Sequence, residues 1–135
     1  MALMAHDSPG SMRTPLKKVR SLGSAKEGTN HFWQQRLTAV ANVVLCSFLV
    51  GLVVYLAGAD HAVVKRTLSN PFIALMLLLL ILSGILHMRL GMQVIIEDYV
   101  RAEGRKVALL MLNTFFAIFV GTACIYAVLK LSFGV

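Results

Sequence analysis

A histidine lies near the end of the second long apolar stretch of this chain, within the segment Ser83–Gly91. An ionisable side chain at membrane depth is energetically costly, so it usually marks a functional site and needs a partner. Residues four positions apart share one face of a helix, so Ser83, His87 and Gly91 form a stripe with an imidazole between two small residues. Such a stripe could admit a flat macrocycle whose metal the imidazole ligates. It could also pack one helix against another, with the histidine hydrogen-bonded across the interface.

Asp98 and Tyr99 follow this histidine on its C-terminal side. If a helix begins near Phe72, its rise of about 1.5 Å per residue puts His87 about 22 Å from that start, in the inner third of a bilayer. Tyr99 then lies beyond the hydrocarbon core. A tyrosine at that level is ordinarily an anchor in the headgroup region, and Asp98 would ordinarily be a solvated carboxylate. Spacing alone leaves open whether Tyr99 is an anchor or contacts a ligand.

Arg36 opens the first apolar stretch, a few residues after the aromatic pair Phe32 and Trp33. Its guanidinium could reach the headgroups while its stem stays in apolar surroundings. Its depth would also suit an anionic propionate or the polar headgroup of a quinone. The sequence has no Cys-x-x-Cys pair, Gly-rich phosphate loop, nucleophile elbow or paired catalytic carboxylates. We therefore expect no bond-making chemistry from this chain alone.

The elements that must position these residues are apolar and long. The chain has 135 residues, of which 58% are hydrophobic and 14% charged. Three stretches carry almost no ionisable side chains, and a bilayer core needs about 20 helical residues. A soluble helical bundle would show polar faces on these stretches, and they have none. The sequence predicts an all-α membrane protein with three transmembrane helices at about residues 36–59, 72–93 and 107–130.

The distribution of Lys and Arg predicts the orientation of these helices. The N-terminal segment through Arg36, together with Arg89 near the end of the second helix and the loop after it, carries ten of the 13 Lys and Arg residues, and the other loop and the C-terminus carry three. Positive charge stays on the cytoplasmic side, so the N-terminus should be cytoplasmic and the C-terminus on the outer side. The net charge of +7 is then a topology signal and does not indicate nucleic-acid binding. Residues 1–30 should form a basic tail, disordered or lying on anionic lipid headgroups.

From about His31 to the C-terminus, the order and spacing of these features resemble a known family. An arginine opens helix one, and helix two ends in His-x-x-x-Gly-Met followed by Asp-Tyr, here His87, Gly91-Met92 and Asp98-Tyr99. The chain thereby resembles the small hydrophobic membrane anchor subunits of succinate dehydrogenase (respiratory complex II). The segment from the histidine to Asp-Tyr is the specific part of this resemblance. The long N-terminal extension departs from the family pattern.

The resemblance implies half of a heterodimeric anchor in which two three-helix subunits bind one haem b between them. His87 would be one axial ligand of the haem iron. The stripe described above then puts Ser83 and Gly91 on the haem side, and the depth of Arg36 suits a haem propionate. The ring nitrogen of His87 that does not bind iron should donate to a second-shell acceptor. The hydroxyl of Ser83, one turn away, or a helix carbonyl would serve.

The resemblance also implies quinone reduction on the cytoplasmic side, with Tyr99 hydrogen-bonded to a quinone carbonyl and Asp98 beside it. The partners would be a second hydrophobic anchor subunit, an iron–sulfur subunit, a flavoprotein subunit and membrane lipid. The expected location is the bacterial plasma membrane rather than the mitochondrial inner membrane.

Two alternatives from other classes stay open at this point. A small transporter of the multidrug type would need a carboxylate inside a helix for proton exchange, and the three apolar stretches contain none. A non-redox scaffold or assembly protein would use the stripe of small residues only to pack helices. A reduced-minus-oxidised absorption spectrum of the purified complex separates the scaffold from a cytochrome.

Overall fold

The computed structural model describes residues 28–133, and this part of the chain is helical. It contains α1 (Gly28–Leu56), α2 (His61–Leu68), α3 (Pro71–Tyr99) and α4 (Glu103–Phe133). The three long helices, of 29, 29 and 31 residues, are apolar and long enough to cross a membrane. At 1.5 Å per residue each exceeds the bilayer core, which is about 30 Å thick. The prediction of a three-helix integral membrane protein is confirmed.

The first helix ends at Leu56, three residues before the predicted residue 59, but the long helices otherwise extend further than the sequence predicted. The first begins eight residues before Arg36, and α3 continues six residues beyond residue 93, to Tyr99. In the extension of α3, Gln93 Nε2 donates to Glu97 Oε1 one turn on at 2.8 Å, a side-chain pair that supports the helix. The expected loop of residues 93–106 is therefore a link of residues 100–102. Of the predicted tail, residues 1–27 lie outside the described part of the chain.

The connection between α1 and α3 is built from local turn chemistry. Gly58 has a φ of 78°, a conformation that glycine adopts without steric cost. The short helix α2 follows, within a segment for which the sequence predicts a loop. Asn70 then caps α3, because its side-chain Oδ1 accepts a hydrogen bond from the Phe72 amide at 2.9 Å, and Pro71 occupies the first helical position.

The contacts between the long helices centre on α3, which packs against both α1 and α4. Both neighbours run antiparallel to α3. Going from Ser83 to Gly91 along α3, the contact on α1 moves back from Thr38 to Gln35. Going from Ile85 to Arg89, the contact on α4 moves back from Gly121 to Asn113. The beginning of α1, the end of α3 and the beginning of α4 thus share one end of the bundle, called the Tyr99 end below.

Small residues and one polar side chain hold α4 against α3. Ala117 is 1% exposed and Gly121, one turn on, is also buried. A Cβ atom on Gly121 would lie 2.7 Å from Ile85 Cδ1, so the glycine allows the close approach of the two helices. The Asn113 side-chain amide donates to the Arg89 carbonyl at 3.0 Å. Large apolar side chains instead face outward along all three long helices, as expected where lipid or another chain covers them.

Candidate functional site

His87 faces α1, where Thr38 contacts it. The distance between His87 Nδ1 and Thr38 Oγ1 is 3.1 Å, and the contact is partly buried. No hydrogen bond to His87 Nε2 is found within residues 28–133. One ring nitrogen of His87 is therefore hydrogen-bonded to α1, and the other has no hydrogen-bond partner among these residues.

The two small residues of the stripe face the same helix. The Ser83 hydroxyl donates to the Thr38 backbone carbonyl at 3.4 Å, and a Cβ on Gly91 would lie 3.3 Å from Gln35 Nε2. The partner of the His87 ring is thus Thr38, and not Ser83 or a helix carbonyl as we expected from the sequence. Ser83 and Gly91 serve the α1–α3 contact here, as the helix-packing alternative described. A haem contact for either residue stays a prediction.

A polar stripe on α1, not among the residues predicted from the sequence, lies close to this contact. His31, Gln35, Thr38 and Asn42 follow one another at helical spacing and share one face. The atoms His31 Nε2, Gln35 Oε1 and Asn42 Oδ1 are buried and have no hydrogen-bond partner within the described residues. The spacing of four polar residues along an apolar helix was the signal that could have revealed the stripe.

Arg36 lies outside this cluster. Its guanidinium stacks over the Phe32 ring, 4.4 Å from the ring centroid, and Phe32 in turn meets Trp33 edge to face at 6.2 Å between centroids. Arg36 is exposed. A cation over an aromatic face close to the start of α1 is compatible with the headgroup region and also leaves the guanidinium free to meet an anion.

Asp98 and Tyr99 end α3, and both are exposed. The Tyr99 side chain is 82% exposed and lines an open cavity of about 310 Å³ with Arg101, Arg105 and Leu109. The 12 residues that separate His87 from Tyr99 lie on one continuous helix, so their Cα atoms are about 18 Å apart along its axis. The two sequence-predicted sites are rigidly linked but spatially separate.

This arrangement provides one imidazole at membrane depth and one phenol at the Tyr99 end. Within residues 28–133, no three His, Cys, Asp or Glu side chains come together as a site for a metal ion. The exposed phenol can donate a hydrogen bond to a carbonyl oxygen of a ligand in the cavity.

Comparison with known proteins assigns the family. The family model of the succinate dehydrogenase/fumarate reductase transmembrane subunit matches residues 10–122. The succinate dehydrogenase hydrophobic membrane anchor subunit of Paracoccus denitrificans is 32% identical over 121 residues, which cover 90% of this chain and 93% of that protein. The corresponding subunit of Rickettsia bellii (strain RML369-C) is 33% identical over 117 residues, or 86% of this chain and 93% of that protein.

A third relative, the succinate dehydrogenase membrane anchor subunit of Reclinomonas americana, is 32% identical over 96 residues, which cover 69% of this chain and 80% of that protein. No solved structure matches the chain at a significant level. The family match begins at residue 10, within the N-terminal segment that we expected to depart from the family pattern, and runs through most of α4, including His87 and Tyr99. The chain belongs to the family of succinate dehydrogenase/fumarate reductase transmembrane subunits.

Proposed function

We propose that this membrane anchor subunit of succinate dehydrogenase binds haem b together with a second anchor subunit and helps to form the site of quinone reduction. The observation that carries the proposal is the placement of His87. Its Nδ1 is hydrogen-bonded to Thr38, and its Nε2 has no hydrogen-bond partner among the described residues. An imidazole held through one nitrogen, with the other free, is the usual state of a histidine that ligates a metal.

The His87 imidazole would provide the protein ligand on one side of a haem. His87 would bind the iron from this chain, and a second axial ligand would come from the other anchor subunit. Bound in that position, a b-type haem supplies a one-electron centre whose potential depends on its axial ligands and surroundings. Arg36, exposed and stacked on Phe32, would pair with an anionic propionate.

Quinone reduction would take place at the Tyr99 end. The exposed Tyr99 hydroxyl donates a hydrogen bond to a quinone carbonyl and so orients the ring at the membrane surface. Asp98, also exposed, would help deliver protons from the aqueous side. Arg101 and Arg105 line the same cavity and would stabilise the negative charge that develops on the quinone oxygens.

The charge distribution supports the same arrangement of partners. Within residues 28–133, five of the eight Lys and Arg residues lie toward the Tyr99 end, so this end would face the cytoplasm, with the C-terminus on the outer side of a bacterial plasma membrane. The iron–sulfur subunit, and the flavoprotein subunit bound to it, would dock at that end. The outward apolar faces of the long helices would be shared between lipid and the second hydrophobic anchor subunit.

Two variants of the assembled complex test the proposal. We expect His87→Ala to lose most of the haem, measured as the haem-to-protein ratio and the reduced-minus-oxidised spectrum. His61→Ala is the matched control, because His61 is exposed at the first position of α2, at the other end of the bundle. Full haem content and an unchanged spectrum in His87→Ala would refute the axial assignment.

Tyr99→Phe removes one hydroxyl and tests the quinone site separately. A hydrogen bond between neutral groups contributes about 1 kcal/mol of stabilisation, and one to an oxygen that gains negative charge contributes more. A change of about 1.4 kcal/mol in the activation free energy changes the rate tenfold. We therefore expect succinate-to-quinone turnover to fall roughly five- to tenfold while haem content stays normal. Tyr126→Phe, at an exposed tyrosine of α4, is the control. Unchanged quinone kinetics and inhibitor sensitivity in Tyr99→Phe would make Tyr99 a membrane anchor only.

A further inference from the structure

We infer that Thr38 is a positioning residue, which sets the tautomer and orientation of the His87 ring and thereby tunes the metal that His87 binds. The inference rests on the proposed function, since it takes His87 to be an axial ligand. Thr38 belongs to α1 and His87 to α3, so the ring is held across a helix–helix interface rather than within its own helix.

The direction of the hydrogen bond follows from the protons available. The Thr38 hydroxyl has one proton and lies 2.7 Å from the Gln34 carbonyl oxygen and 3.1 Å from that of Gln35. Carbonyl oxygens only accept hydrogen bonds, and two oxygens 2.7 Å apart without a proton between them would repel each other. The hydroxyl proton therefore points to Gln34, and a lone pair of Thr38 Oγ1 faces the histidine.

The tautomer of His87 follows from that lone pair. At 3.1 Å, Nδ1 must carry the proton and donate it to Thr38 Oγ1. A neutral imidazole has one protonated nitrogen, so the lone pair lies on Nε2. This is the form that binds iron through Nε2, and the hydrogen bond at Nδ1 increases the electron density that the ring gives to the metal.

Ser83 keeps Thr38 in place for this role. Its hydroxyl donates to the backbone carbonyl of Thr38 at 3.4 Å, so the same residue of α1 contacts α3 through both its main chain and its side chain. The back-bond from the Thr38 hydroxyl to the preceding turn fixes its rotamer. Thr38, which accepts the hydrogen bond from His87 Nδ1, is thus itself held by two hydrogen bonds, one from Ser83 and one to the Gln34 carbonyl.

The test compares Thr38→Val and Thr38→Ser in the assembled complex. Valine keeps the shape of threonine and removes the acceptor, whereas serine keeps the hydroxyl. We expect Thr38→Val to weaken haem affinity about tenfold or more. Its haem reduction potential should become more positive, because a less basic ligand stabilises the oxidised iron less. Thr38→Ser should keep both values near those of the unmodified complex.

Thr114→Val is the matched control. It tests the effect of losing a threonine side chain and its hydrogen bond to a carbonyl of its own helix. Thr114 is partly buried in α4 and donates to the Leu110 carbonyl at 3.0 Å, as Thr38 does to its own helix, but without a histidine partner. Its replacement should leave the haem potential and affinity unchanged. If the valine complex does not assemble, Thr38→Cys, which keeps a small side chain with a weak acceptor, should shift the potential in the same direction.

An unchanged potential and haem affinity in Thr38→Val would overturn the inference. So would equal haem loss in Thr38→Val and Thr38→Ser with no change in potential, because that pattern indicates a packing role. A complex without haem, or full haem in His87→Ala, would refute the proposed function itself and the inference with it. If the Thr38 variants show no effect but His87→Ala loses haem, the inference about Thr38 is refuted and the assignment of His87 as an axial ligand is not.

Discussion

The close approach of α3 and α4 at Gly121 can be tested with a change of one methyl group. In Gly121→Ala, the new Cβ would lie 2.7 Å from Ile85 Cδ1, whereas apolar carbons in contact are about 3.5–4.0 Å apart. The overlap is roughly 1 Å. It must be relieved by turning the end of the Ile85 side chain out of its rotamer, at about 0.5–1.5 kcal/mol, or by separating the helices, at about 1–3 kcal/mol.

The intrinsic helix propensity opposes this cost, because alanine is favoured over glycine in a helix by about 0.8–1.0 kcal/mol. The net change in the free energy of unfolding of Gly121→Ala then ranges from a gain of up to about 0.5 kcal/mol, if only the Ile85 rotamer adjusts, to a loss of up to about 2 kcal/mol, if the helices separate. Ile85→Val alone removes the atom in conflict and leaves a small cavity, which costs about 0.5–1.5 kcal/mol. The other branches of Ile85, Cγ1 and Cγ2, would lie 3.8 Å from the new methyl group, an ordinary contact. In the double variant the alanine methyl occupies the space that Cδ1 leaves, so the two penalties should cancel.

The expected coupling energy between the two sites is about 1–3 kcal/mol, which a double-mutant cycle can measure. The assay is the unfolding of the assembled complex in detergent titrated with dodecyl sulfate, followed by helical circular dichroism. Gly51→Ala is the control, because a Cβ there has nothing within 4 Å. Single-variant effects that add to within about 0.5 kcal/mol would refute the close approach of the two helices at Gly121.

Three further changes test other contacts. Gly91→Ala should be tolerated, because the Gln35 amide only 3.3 Å away is the end of a flexible side chain. Gly91→Leu should lower haem content, measured as the haem-to-protein ratio; normal haem in the leucine variant would mean that the stripe of Ser83, His87 and Gly91 does not face the haem. Asn113→Leu removes the hydrogen bond to the Arg89 carbonyl and should lower the free energy of unfolding by about 0.6–1.7 kcal/mol in the same assay; an unchanged value would contradict the contact. Asn70→Ala removes the cap of α3 and should cost about 0.5–2 kcal/mol, whereas Asn70→Asp should restore most of it; equal losses in both would argue against capping.

The spans and the candidate residues could be identified without coordinates. Burial of a helical backbone in lipid requires about 20 apolar residues in succession, and this chain has three such stretches. The position of His87 within one of them and of Tyr99 after it followed from counting residues along the chain. The same spacing carried the resemblance to the anchor subunits, which the family match confirmed.

Where α3 ends could not be judged from hydrophobicity, because its last two turns mix the apolar residues Val94–Ile96 with polar and charged ones. The helix continues through them to Tyr99, with a side-chain hydrogen bond between Gln93 and Glu97 one turn apart. Tyr99 is consequently a helix end on the same rigid element as His87, and not part of a long loop.

The rotational orientation of each helix was decided only by the tertiary structure. Apolar side chains surround the long helices on nearly all sides, so the hydrophobic pattern that marks a span says little about which face meets which neighbour. The contact of Thr38 with His87 depends on small residues that let the backbones approach and on polar side chains that find partners in a medium without water. Shape and hydrogen bonding between helices distant in sequence therefore determined which residue holds the imidazole, while hydrophobicity along the chain had determined only that it lies in the membrane.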